Sequence, residues 1–141
     1  MRLLTALGLT AALLFAGCGG AGTAPTITAP VTHVIKGSVK VFDFNVGYDP
    51  DRTVCIFLNP RYDDVDAGAT VTVKDGAGSI VGVSKLEAVI STTFDYCLFP
   101  FSVTVSDAEF YSIEVSRRGE LNFSKADLES KGWLVQLKIG E

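Results

Sequence analysis

From about residue 33 onward, apolar and polar residues alternate with a period of two, a pattern that predicts strands rather than helices. Val34–Asn45 reads as a first strand and Thr53–Leu58, carrying Cys55, as a second. Between them, Tyr48-Asp49-Pro50-Asp51-Arg52 reads as a turn: proline presets one backbone angle and the aspartates bond local N–H groups. Ala69–Lys74 and Ser79–Ser84 make a hairpin about Asp75-Gly76-Ala77-Gly78, and Lys85–Ser91 continues it past a bend. Phe94–Ser106 is the most informative run. It places Cys97, Phe99, Phe101, Val103 and Val105 on one face, while Pro100 on the other marks an edge or a bulge. Phe110–Ser116 turns Tyr111, Ile113 and Val115 inward, Arg117-Arg118-Gly119-Glu120 is a polar turn, and Leu121–Phe123 is a short return strand. Ser124 and Asp127 have the spacing of a capping box, so one or two helical turns start there and stop at Gly132. The last strand, Trp133–Ile139, puts Trp133, Val135, Leu137 and Ile139 on one face. Seven or eight strands with one short C-terminal helix predict an all-β protein, an antiparallel β-sandwich, with a closed barrel as the alternative.

The first seventeen residues follow a different rule. After Met1-Arg2, the run from Leu3 to Ala16 is almost wholly apolar. It matches the hydrophobic region of a signal peptide and is too short to span a bilayer, which takes about 20 residues. Its end, Leu14-Phe15-Ala16-Gly17-Cys18, resembles the lipobox of bacterial lipoproteins, with Phe15 standing where leucine is usual. The resemblance implies removal of residues 1–17, a lipid on the Cys18 thiol, and residence at the extracytoplasmic face of the cell membrane. A diacylglycerol there supplies the two chains that stable anchoring takes. Residues 18–32 are rich in Gly, Ala, Thr and Pro and carry no charge, the composition of a flexible tether, which leaves residues 33–141 as the folded domain.

The formal charge of the 141 residues is −4, and it becomes −5 once Arg2 is removed. Such a balance argues against nucleic acid as a partner. It also argues against adhesion to anionic lipid head groups, leaving the acyl chains as the anchor. With Cys18 assigned to lipid, Cys55 and Cys97 remain. In an exported chain such a pair is expected to form a disulfide, here on the inward faces of two strands.

Two further resemblances bear on fold. The hairpin from Gly68 to Gly78 is similar to one in transthyretin-like (prealbumin-like) and other bacterial Ig-like domains. The runs Phe99-Pro100-Phe101, Phe110-Tyr111-Ser112-Ile113-Glu114-Val115-Ser116, Arg118-Gly119-Glu120-Leu121 and Gly132-Trp133 resemble the C-terminal half of small actinobacterial lipoproteins and secreted proteins. That group brings no established activity, so it implies fold and location only.

Little in the chain suggests chemistry. Asp63, Asp64 and Asp66 precede Gly68 in an acidic loop, but no bidentate glutamate follows at calcium-loop spacing, so a solvated turn is expected and no metal. His33, the single histidine, lies at the tether's end without a serine or cysteine partner in sequence. Arg117 and Arg118 suit an anionic partner or, as the plainer reading, a charged hairpin tip with Arg118 paired to a nearby aspartate. Trp133 shares the parity of core residues. The expectation is a lipoprotein with no cofactor and no catalytic residue, acting as a binding module for an envelope or extracellular partner. Asp63, Asp64, Asp66, Arg117 and Arg118 are its candidate contacts. The alternative is a structural or protective envelope protein, including a prophage-encoded one that excludes a superinfecting phage. A contiguous exposed apolar patch would favour the binding module, and a surface without one the shield.

Overall fold

The alternation in the longest apolar run sets the architecture. A computed structural model describes residues 29–42, 46–48, 55–57, 59–92 and 96–140. The signal segment, Cys18, most of the tether and the predicted turn residues 49–52 lie outside them. In chain order the elements are β1 (Thr32–Phe42), β2 (Val46–Tyr48), β3 (Cys55–Phe57), β4 (Thr70–Asp75), β5 (Ile80–Lys85) and β6 (Ser91–Thr92). There follow β7 (Tyr96–Ser106), β8 (Phe110–Val115), β9 (Glu120–Ser124), α1 (Lys125–Ser130) and β10 (Leu134–Ile139). Two four-stranded sheets, ordered β10-β1-β7-β6 and β5-β4-β8-β9, face each other, and β2 and β3 form a separate two-stranded ladder. The fold is an all-β sandwich. One pairing is parallel, however: β1 runs antiparallel to β7 but parallel to β10.

The inward faces make one core. Cys97, Phe99, Phe101, Val103 and Val105 of β7 are all at most 2% exposed. They meet Ile35, Val39 and Val41 of β1 and Tyr111, Ile113 and Val115 of β8. Two glycines let the backbones close on this core. Gly37 lies opposite Phe101 in the β1–β7 ladder, and a Cβ there would fall 2.6 Å from the Phe101 ring, so the ring occupies the space a side chain would take. Gly82 joins the two sheets: a Cβ there would fall 2.6 Å from the Thr104 carbonyl oxygen, so β5 rests directly on β7. Pro100 sits inside β7, but its carbonyl accepts from the Glu87 N–H on the side away from β1. In an antiparallel strand a residue's N and O point the same way. The missing donor therefore faces the 86–90 loop rather than a strand.

The disulfide between Cys55 and Cys97 ties β3 to β7, with Cα atoms 6.2 Å apart, well inside the bonding range. The acidic segment 59–68 is less a solvated turn than a fitted one. It contains a short 3-10 turn at Pro60–Tyr62, capped by the Asn59 side chain, and it buries Tyr62 and Val65. Ser124 caps α1 by accepting the Asp127 N–H at 3.1 Å. Among the described residues, every strand of both sheets and the buried core fall within residues 32–139.

Candidate functional site

Alternation that turns Ile35, Val39 and Val41 inward must turn Val34, Lys36, Ser38 and Lys40 outward. The same holds for Leu134, Gln136 and Lys138 of β10 and for Leu98, Pro100, Ser102 and Thr104 of β7. On this outward face lies a concavity of about 690 Å³, a volume within the range of small-ligand sites. Its polar lining is Lys36, Ser38, Gln136 and Lys131; its apolar lining includes Ile90, Leu98, Pro100 and Leu134, with Phe123 beside them. Ile90 is 66% exposed and Leu134 58%, so apolar surface here is left to solvent. No carboxylate lines the groove. Lys131 lies within electrostatic reach of Asp127, and Glu87 stands on the border in the 86–90 loop. Further along, Lys40 lies 3.7 Å from the Tyr96 ring centroid and 4.7 Å from that of Phe42.

The residues expected as contacts lie elsewhere and are not all free to make them. Arg118 holds Asp64 with two nitrogens, Nε donating to Oδ2 at 3.0 Å and a terminal nitrogen to Oδ1, and also bonds the Arg61 carbonyl. Its guanidinium lies 5.4 Å from the Tyr62 ring centroid. The hydrogen bonds from Arg118 hold the Asp64 carboxyl below its ordinary range, against the smaller upward push of burial. The pair clamps the β8–β9 turn to the acidic segment, which Ser116 reinforces by donating to the Asp64 carbonyl. Asp63, Asp66 and Arg117 are exposed. Among the described residues, no three His, Cys, Asp or Glu side chains converge as a group that could hold a metal ion.

His33 lies inside β1 rather than at the end of a tether. Register places it opposite Val105, and its Nε2 lies 2.6 Å from Asp107 Oδ1. The same carboxylate meets Lys125 Nζ at 2.7 Å. The lysine first, and the histidine second, hold the Asp107 carboxyl below the usual range. The imidazole stacks on Trp133 with centroids 4.1 Å apart, and Trp133 meets Tyr111 edge-on at 5.8 Å. Trp133 is thus half-buried against the core margin rather than presented as a binding aromatic. The cluster ties the start of β1 to the start of α1 and to the entry of β10.

The groove could not be read from spacing, because it is built from three strands whose pairing order the alternation does not contain. The signal that was available is compositional: β1, β7 and β10 together hold lysines and no Asp or Glu. Comparison with protein-family models, with curated proteins and with solved structures finds no match.

Proposed function

We propose that this chain is a cell-envelope lipoprotein, anchored through Cys18, whose β-sandwich serves as a non-catalytic binding module. The observation that carries the proposal is the groove on the outward face of the β10–β1–β7 sheet. There Ile90, Leu98, Pro100 and Leu134 form one apolar lining with lysines beside it. An apolar patch of this kind is what separates a binding surface from a shield. Its placement on β1 is also favourable, since β1 is the strand that the tether enters. Thirteen residues separate Cys18 from Thr32, and the fourteen steps between them, at about 3.5 Å each, span at most about 50 Å. Confinement within that layer raises the effective concentration of envelope partners without new contacts. His33, the sole imidazole, is engaged by Asp107 and Trp133 and serves the packing of β1.

Labelling cells with a fatty-acid probe should mark the wild-type chain and not Cys18→Ala. A photo-crosslinking amino acid at Leu134 should then capture an envelope component, whereas one at Phe110, exposed on the opposite sheet, should not. Label retained by Cys18→Ala would overturn the anchor, and equal capture from both positions would overturn the groove as the binding surface.

A further inference from the structure

The net charge of the chain is acidic, with 16 Asp and Glu against 12 Lys and Arg, but the charges are segregated. On the sheet β5-β4-β8-β9 they neutralise one another: Lys74 meets Glu120 at 2.5 Å and Glu114 at 3.4 Å. The outward face of the other sheet differs. Lys36 and Lys40 on β1 and Lys138 on β10 share the outward face, and no carboxylate among the described residues pairs with any of them. Lys40 and Lys138 are moreover direct neighbours in the β1–β10 register. Adjacent strands lie about 4.8 Å apart, and like charges on directly opposed residues disfavour the fold; the Lys40 ammonium lies over the Tyr96 and Phe42 rings, with no anion among the described residues to meet it. A phosphate seated between the two lysines reverses that sign.

We propose that this face docks on an anionic phospholipid surface, so that the sandwich lies flat on the bilayer that anchors it. The proposal rests on the anchored-lipoprotein reading, which supplies the bilayer, and adds the surface that meets it. Three features favour lipid over a soluble polyanion. The lysines are interleaved with exposed aliphatic side chains, Val34 at 44% and Leu134 at 58%, with Ile90 at the border. Lysine stems lie along apolar surface while their ammonium groups reach phosphate, an arrangement suited to head groups overlying hydrocarbon. A soluble polyanion offers Val34, Ile90 and Leu134 nothing. Finally, the face belongs to the strand that the tether enters, so the tether's length does not oppose the contact. The acidic net charge that argues against lipid adhesion resides on the rest of the molecule.

The test uses residues 18–141 with Cys18→Ser, which keeps every core residue and removes the acyl anchor from the measurement. Flotation is compared on vesicles of phosphatidylcholine alone and of phosphatidylcholine and phosphatidylglycerol in equal parts. The chain should float with the anionic vesicles and not the neutral ones, and binding should fall as salt is raised through the range that screens surface charge. Each lysine near an anionic surface is worth about a fivefold factor in partitioning. Lys36→Gln with Lys138→Gln should therefore lose about thirtyfold, and Lys36→Glu with Lys138→Glu more. Lys85→Glu with Arg117→Glu carries the same charge change away from this face and should lose far less. Near-ultraviolet circular dichroism verifies that each variant is folded, and the glutamine pair guards against a misfolded charge reversal. Equal losses from the two reversal pairs would overturn the proposal. So would equal flotation on neutral vesicles, or capture by immobilised polyphosphate with no flotation on either vesicle. None of these outcomes touches lipidation, which fatty-acid labelling of the full chain decides separately.

Discussion

Replacing Cys55 and Cys97 together by alanine should cost more stability than any surface change, and the loss should begin in one place. The bridge closes a segment of 42 residues, which in the chain-entropy description restrains the unfolded chain by about 4 kcal/mol. For a domain of this size each kcal/mol moves the midpoint by about 3–4 °C, so the melting temperature should fall by about 12–16 °C. The β2–β3 ladder belongs to neither four-stranded sheet. Besides the disulfide, β3 is held by Phe57 packing against Tyr62 and Phe99, at centroid distances of 5.8 and 6.4 Å. Without the bridge, the amides of β2 and β3 should lose hydrogen-exchange protection first, while those of β1 and β7 keep exchanging only on global unfolding. Reductant added to the native protein should act slowly, because Cys97 is fully buried and Cys55 nearly so. A double-alanine variant melting within about 2 °C of wild type, with β3 amides still protected, would refute this account of what the disulfide does.

Three more outcomes are expected. Gly82→Ala forces a Cβ to within 2.6 Å of the Thr104 carbonyl, and should cost about 1–3 kcal/mol in urea unfolding, whereas an unchanged midpoint would mean that the β5–β7 contact can relax. Arg118→Ala removes a two-nitrogen bond to an aspartate that is nearly half exposed; discounted for solvent screening it should cost about 1 kcal/mol in the same assay and speed proteolysis within residues 59–68. Asp107, whose folded-state pKa is depressed, contributes stability that is present above its unfolded value of about 3.9 and is lost as pH falls through the folded one. Melts at about pH 6 and about pH 3 should therefore show a larger drop for wild type than for Asp107→Asn, and equal drops would show that the Lys125 and His33 contacts do not stabilise the fold.

How much of this was legible depended on whether a feature is local. Period-two alternation gave the inward faces of β7, β8 and β10 residue by residue, because side-chain direction in a strand is set by the strand itself. The capping of α1 by Ser124 was equally local. Pairing is not. Nothing in Trp133–Ile139 says that β10 will run parallel beside β1, so the assembled lysine face stayed hidden although each of its strands was identified. Alternation puts His33 one residue outside the first strand and shows only its sequence neighbours, while its partners Asp107 and Trp133 arrive through the β1–β7 register and the helix end. An aspartate partner for Arg118 is legible as the plain reading of a hairpin arginine; that the partner is Asp64, from a segment far back in the chain, is not. That Tyr62 and Val65 would pull the acidic segment onto the core was not, since three aspartates in four residues outweigh two buried side chains in any local average.

The position of β1 has a mechanical consequence. It is a central strand, laddered to β7 from Thr32 through Phe42 on one side and to β10 from Lys36 through Val41 on the other. A pull on the chain before Thr32 runs along the strand axis, and the antiparallel hydrogen bonds to β7 lie across that axis. Tension is therefore shared as shear by both ladders at once, instead of opening rungs one after another as it would for an edge strand pulled sideways. A domain held by its N-terminal end against drag is thus gripped at its strongest element.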